Sequence, residues 1–321
     1  MHVPAFRSDP RCQVVAICAS TQERARTVAD RLDIAQAFGE WPAVIASREV
    51  AAISIAVPPT LQPEIAIAAA RAGKHIFCEK PLALRHVDAQ SMLDAVRASG
   101  VANAIDLEFG ELPAYRVAEA LLRSGQLGQI RSIALTWQVR TRPRPADSWK
   151  DQVESGGGAL GGFAAHAIYL LERLFAPVVR LSSSSSLGTA GKRTNAELEL
   201  VGGLRASLMI ATDADPATGH RLEAQGADGG LVVANRGPDH VRGFTVEVVS
   251  RATGQQTHVP LDELSADGDA RVSAVAPIAS RFVTAALGGP AALPGIADGV
   301  RVQRVLDALR VAPADGTWIG V

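Results

Sequence analysis

The chain has 321 residues, 47% of them hydrophobic, and a formal net charge of −1. That length calls for two domains with sizeable cores, and the balanced charge gives neither a basic stripe for nucleic acid nor a charged tail. No apolar run reaches the ~20 residues of a membrane span, and Met1-His2-Val3-Pro4 does not open a signal peptide. Cys12, Cys18 and Cys78 are an odd set, the last two in strand-like runs. They read as buried, reduced thiols of a cytoplasmic protein, with no metal site.

The amino-terminal third alternates strand and helix. Residues 1–8 read as the end of a helix, and 11–19 as a strand with the run Val14-Val15-Ala16-Ile17-Cys18. A helix over 21–32 follows, with Ser20 or Thr21 as its N-cap. Trp41-Pro42 starts a short helix, and 52–57 is the next buried strand. An Ala- and Ile-rich helix over 60–71 leads through Gly73 into a short apolar strand, 74–78. A helix over 86–98, stopped at Ser99-Gly100, and a strand near 102–107 complete the domain. This grammar predicts a parallel α/β sheet, whose ligands sit beyond the carboxyl ends of the strands. Glu79, Lys80 and Pro81 fall at that end. Pro81 fixes its own φ and keeps Lys80 out of helical conformation.

The rest of the chain reads differently. A helix over 112–123 follows Leu112-Pro113, and 129–139 alternates as a half-exposed strand. Residues 140–152 form a charged loop with Trp149. Gly156-Gly157-Gly158 leads into a helix over 161–175 that carries His166 and Tyr169. Period-two runs at 180–187, 194–200, 204–211, 220–225, 231–234 and 244–250 predict an antiparallel meander. The serine run 182–186 has apolar flanks and reads as strand. Helices over 270–286 and 296–311 and a closing strand at 318–321 finish the chain.

Glu79-Lys80-Pro81 after Ala72-Gly73-Lys74-His75, with Val57-Pro58-Pro59-Thr60 one helix upstream, resembles the glucose–fructose oxidoreductase, inositol 2-dehydrogenase and MocA (Gfo/Idh/MocA) family. Leu112-Pro113-Ala114-Tyr115 and the segment 302–307 are also similar to it, so the resemblance spans nearly the whole chain. It implies an α/β fold: an incomplete Rossmann-type parallel sheet domain over residues 1–105, then an α+β domain over 106–321 with a large, mainly antiparallel open sheet. His2-Val3-Pro4-Ala5-Phe6 matches a segment that in the family follows the glycine turn. The first strand and that turn are absent from the sequence. Strands near Val14 and Ile53 are then expected to face each other across a gap of ~4.8 Å multiplied by two. The chain as written is expected to bind a dinucleotide poorly, and two origins compete: a start that lies upstream of Met1, or a truncated, degenerate relative that closes the gap or fills it with something else.

The resemblance implies an oxidoreductase that passes a hydride between a nicotinamide and a sugar, cyclitol or related alcohol or carbonyl. Lys80 and His166 are the implied catalytic pair, the histidine as acid/base and the lysine tuning and orienting it. Val57, Pro58, Pro59, Glu79 and Lys80 are the implied cofactor contacts. Where an acid at the end of the second strand would bind a ribose 2′-hydroxyl, this chain has Ser20, Thr21 and Arg24, which suits a 2′-phosphate. NADP is therefore expected over NAD. Lys80, Trp149, His166 and Tyr169 are the expected substrate contacts.

Several positions depart from the family. Gly162 stands where an aspartate precedes the histidine by one turn, although a branch of the family lacks that residue. Tyr169 replaces a second aspartate, Gly110 a common arginine and Gln62 a common histidine. Glu108 reads as a solvated loop acid. The open sheet face is expected to be apolar enough to form a homodimer or homotetramer. The alternative reading is a non-catalytic sugar- or nucleotide-binding regulatory protein of the same fold.

Overall fold

The computed structural model describes residues 1–141, 145, 148–184, 191–214, 219–237, 239–264 and 268–321. It divides into two compact units, Met1–Asp106 with Arg271–Val300 and Leu107–Ala270 with Arg301–Val321.

The first unit carries α1 (His2–Arg7), β1 (Ala16–Cys18), α2 (Gln22–Leu32), β2 (Gln36–Phe38), α3 (Trp41–Ala46), β3 (Ala52–Ile55), α4 (Gln62–Arg71), β4 (His75–Cys78), α5 (His86–Ser99) and β5 (Asn103–Ile105). Thr21 caps α2 by accepting from the Arg24 amide, and Gly100 ends α5 at φ +66°, where glycine pays no steric cost. All pairings are parallel, but they form two sheets: β1–β2 and β3–β4–β5. Among the described residues β1 and β3 each have one ladder partner. Cys18, Ala52 and Ser54 are exposed, as suits unfilled edges. The expected interruption between these strands is thus present. β2 was not legible in the sequence, because Gln36-Ala37-Phe38 is too short to show a period.

The core of this unit centres on an aromatic cluster. Phe6, Phe77 and Phe282 meet edge to face at 5.2–6.0 Å. Phe282 belongs to α8 (Ala270–Ala286), most of which joins this unit. The seam is closed by Asp9, which accepts from Arg11 at 2.6 Å and from the Ser280 hydroxyl at 2.9 Å; Arg11 also donates to Thr284. The Arg11 guanidinium holds the Asp9 carboxyl well below its usual range.

The second unit contains α6 (Pro113–Arg123), β6 (Ile130–Gln138), α7 (Ala165–Leu174), β7 (Val178–Ser183), β8 (Arg193–Leu200), β9 (Arg205–Ala211), β10 (Gly219–Gly226), β11 (Gly229–Asn235), β12 (Thr245–Ser250), β13 (Gln256–Val259) and β14 (Trp318–Gly320). α9 (Ile296–Val311) is shared between the units. The nine strands run in the order β13-β12-β11-β10-β6-β9-β8-β7-β14, antiparallel except for β6 with β9. β7 ends at Ser183; the part of the expected strand at 185–187 lies outside the described residues, as do parts of the loop at 140–152.

One sheet face buries Leu135, Trp137, Leu198, Leu208, Ile210, Leu222 and Val233. The other corrects the expectation of an apolar surface. Its cross-strand rows read Glu197, Ser207, Ala134, Glu223, Val232, Glu247 and Asn195, Met209, Thr136, Arg221, Ala234, Thr245. The face is polar and charged, with isolated apolar positions.

Candidate functional site

In the first unit the polar groups gather at the carboxyl ends of the strands. Burial along β4 rises to Ile76, Phe77 and Cys78, all fully buried, and then the chain turns outward at Glu79 and Lys80. The Glu79 amide continues the ladder to the Ile55 carbonyl, and Glu79 Oε2 accepts from the Lys80 amide at 3.1 Å. Gln62, where the family often has histidine, is buried and donates to the Pro81 carbonyl at 2.8 Å. It ties the start of α4 to the loop that presents Lys80.

His2 is the hub of this end. Its Nδ1 lies 2.7 Å from the Ser54 hydroxyl, and its Nε2 lies 3.0 Å from Asp106 Oδ2 and 3.3 Å from Glu79 Oε1. Burial works against a charge on His2, but the hydrogen bonds to Asp106 and Glu79 outweigh it and raise the imidazole to about 9. Burial pushes Asp106 up against the pull of His2. At Glu79 burial acts in the same sense, but the His2 hydrogen bond and charge prevail and bring the group down. One atom from each of the three side chains falls within 4.8 Å of the others. Such spacing suits a cation, and protonated His2 supplies one, with the Lys80 charge favouring both carboxylates.

Ser20, Thr21 and Arg24 stand exposed between β1 and α2. Val57 and Pro58 are half-buried and Pro59 is buried, in the turn between β3 and α4. These residues are therefore all at strand carboxyl ends of one unit, as the sequence implied. An open cavity of about 750 Å³ lies at the other ends of β1 and β2, against Val14, Ile34 and Glu49, and holds none of them.

In the second unit the chain enters α7 through a π-helical turn, Leu160–Ala164, a geometry often found at functional sites. His166 follows, 3% exposed. Its ring lies 4.6 Å from that of Phe109 and 6.3 Å from that of Trp137. A Cβ on Gly162 would meet nothing within 4 Å. Glu108 corrects the reading of a solvated acid. It is 6% exposed, on a 3-10 turn (Glu108–Glu111), with Oε2 3.7 Å from His166 Nδ1.

Tyr169 is buried one turn beyond His166, its hydroxyl 3.2 Å from Arg173 Nη1. Arg173 also donates to Glu111 at 2.9 Å and to Glu119 at 3.0 Å. A Cβ at Gly110 would lie 2.6 Å from the Arg173 guanidinium. The arginine that the resemblance expected at position 110 is thus matched by one reaching in from α7. Trp149 is half-buried on a short turn (Trp149–Asp151), and Gly157 lets that turn approach: its Cβ would stand 2.4 Å from the Trp149 carbonyl. The roles of His2, Gln62, Asp106, Glu108 and Arg173 were not read from the sequence. Asp106-Leu107-Glu108, two acids next to an apolar strand, was the available signal.

Residues 1–106 match the family model described as "Oxidoreductase family, NAD-binding Rossmann fold", and residues 115–232 match that of the "GFO/IDH/MocA C-terminal domain". An uncharacterized oxidoreductase of Synechocystis sp. is 31% identical, over all of this chain and 92% of that protein. The chain belongs to the Gfo/Idh/MocA oxidoreductase family. Levoglucosan dehydrogenase of Pseudarthrobacter phenanthrenivorans is 34% identical over 47% of this chain and 40% of its own. A solved structure of a levoglucosan dehydrogenase in complex with NADH superposes with a TM-score of 0.88 at 24% identity, covering 100% of this chain and 95% of that one. The likeness establishes the shared fold, a Rossmann-type domain followed by a large, mostly antiparallel sheet.

The donor set can be tested against a dinucleotide. Ser20, Thr21 and Arg24 set two hydroxyls and a guanidinium on the surface at the end of β1, donors of the kind that a sugar or phosphate takes, and Lys80 sets a cation at the end of β4. Among the described residues no helix is long and apolar enough to cross a membrane.

Proposed function

We propose that this family member is an NADP-preferring dehydrogenase or reductase of a sugar, cyclitol or related polyol. Bound nicotinamide supplies the hydride acceptor or donor. Lys80 polarises the reacting oxygen of the substrate, and its charge favours the ionised forms of Glu79 and Asp106. As a substrate carbon gives up hydride, the proton of its hydroxyl passes to His166, an imidazole being the side chain suited to such an exchange. Trp149 offers an aromatic face to a sugar ring, and Tyr169 shapes the wall beside His166. Ser20, Thr21 and Arg24 bind the 2′-phosphate.

The observation that carries this reading is the placement of Lys80 at the carboxyl end of a parallel strand, tethered through Glu79 to protonated His2. The names of the relatives support the substrate class, since they include a levoglucosan dehydrogenase and a 3-reductase of a dTDP-linked keto sugar. Nicotinamide absorbance is followed with a panel of sugars and polyols and each cofactor. Turnover that falls at least ~10²-fold in both Lys80→Met and His166→Asn supports the assignment. Turnover that survives either change overturns it. Nucleotide or sugar binding without turnover would instead favour a regulatory protein.

We further place the protein in the cytoplasm, where the free thiols Cys12, Cys18 and Cys78 suit a reducing milieu. A homodimer or homotetramer paired through the open sheet face is the proposed assembly. Its charged rows favour a registered polar interface, and a monomeric mass in light scattering refutes it.

A further inference from the structure

The buried carboxylate beside His166 has no place in the function proposed so far. Burying a carboxylate costs several kcal/mol unless charges or donors compensate, and the His166 imidazole is one such group beside Glu108. The turn Glu108–Glu111 is registered against α7 by contacts that do not involve Glu108. Gly110 lies against Tyr169 and Arg173, and Glu111 accepts from Arg173 at 2.9 Å. Glu108 is thereby brought opposite the turn of α7 that carries His166. Phe109 and Trp137 lie against the imidazole ring, and Glu108 approaches its Nδ1 edge.

We propose that Glu108 is the positioning residue for His166, which rests on the catalytic reading of His166 given above. Its carboxylate holds the proton on Nδ1, fixes the ring, and leaves Nε2 to exchange a proton with the substrate oxygen. The separation of 3.7 Å is an ion-pair distance and not a hydrogen bond. It shortens when the imidazole gains its second proton and the pair becomes charge-assisted. The imidazolium that forms as a substrate hydroxyl is deprotonated is then stabilised by a fixed anion.

Other titratable groups near the ring, among the described residues, come from α7 and β10 and from position 240. Tyr169 and Arg173 continue along α7, and Arg173 is committed to Glu111 and Glu119. His220, from β10, packs on Phe109 and Trp137 and is held neutral by burial, its pKa pushed down to about 3. His240 lies against Phe163.

The test begins with a readout that needs no turnover. The imidazole titration of His166 is followed by NMR in the full chain, its resonance assigned by its loss in His166→Asn. In Glu108→Gln the midpoint falls by about one unit or more, and the Nδ1-protonated tautomer loses population. An unchanged midpoint and tautomer overturn the proposal. In the assay, Glu108→Gln lowers kcat on the order of 10²-fold and moves the pH profile, with KM nearly unchanged. A loss of KM and folding together, with kcat intact, marks a merely structural residue and also overturns it.

Two variants guard against misfolding. Glu108→Asp keeps the charge and retains most of the activity. Gly162→Asp, placed where the structure leaves open space one turn before His166, restores part of the kcat and of the midpoint lost in Glu108→Gln. If the midpoint shifts as expected but no form turns over any sugar with either cofactor, the pairing stands and the oxidoreductase reading fails.

Discussion

A glutamine at position 2 would keep hydrogen bonds toward Ser54 and Asp106 but not the positive charge between Asp106 and Glu79. With Asp106 1% exposed, the uncompensated carboxylate should cost about 2 kcal/mol, below the 3–5 of a fully buried pair because Glu79 retains some solvent. The pH dependence has a definite sign. His2 is raised from 6.5 to about 9 in the fold, so its contribution is complete below pH 6.5 and is lost as pH rises toward 9. His2→Gln should therefore flatten the decline of the urea midpoint across that window. A decline of wild-type slope in the variant would assign it elsewhere. In the proposed 2′-phosphate site, Arg24 acts through its charge alone. Arg24→Ala should weaken NADPH binding about tenfold, the ~1.4 kcal/mol of one exposed charge-assisted contact, and leave NADH unchanged in a fluorescence titration.

Three strands of the first unit differ in what surrounds them. β4 lies between β3 and β5, while β1 and β3 each pair on one side among the described residues. A parallel strand points its backbone groups alternately to its two neighbours. Half the amides of β1 and β3 thus lack a ladder partner, and their exchange should be fast. Native-state hydrogen exchange should show Ile76, Phe77 and Cys78 protected close to the global limit and the outward amides of β1 and β3 at least ~10²-fold less protected. Equal protection across the strands would mean that the edges are filled in solution. In the second unit, α7 and the turn Glu108–Glu111 act as one element, since Arg173 binds Glu111 and packs on Gly110 while His166 faces Glu108.

Across the molecule, two histidines, half-buried His2 and buried His220, bound the stable pH range from opposite sides. His220, hydrogen-bonded to the Tyr115 hydroxyl, is lowered from 6.5 to about 3 by burial and by the His240 charge. Its unfolded form takes up a proton first, so its contribution to stability is lost as pH falls from 6.5 toward 3. His220→Gln should flatten the acid limb of a Tm–pH curve, just as His2→Gln flattens the alkaline one; an unaltered acid limb would contradict that assignment.

The alternation of helices and short apolar strands, the Glu79-Lys80-Pro81 strand end and the glycine turn before His166 were legible in the sequence. Each is a local pattern set by backbone preference and by the period of side chains. The separation of β1 from β3 was expected from the sequence too, and among the described residues no strand pairs with both. The partners of the charges were not. His2 meets Glu79 and Asp106 from 77 and 104 residues away in number, Glu108 is buried by a helix 58 residues on, and Arg173 fills the space at Gly110 from α7. Sequence determined which chemical groups the chain carries and which strand or helix ends carry them. Tertiary packing alone decided which of those groups lose water and face one another, because desolvation and charge pairing depend on distance in space and leave no period along the chain.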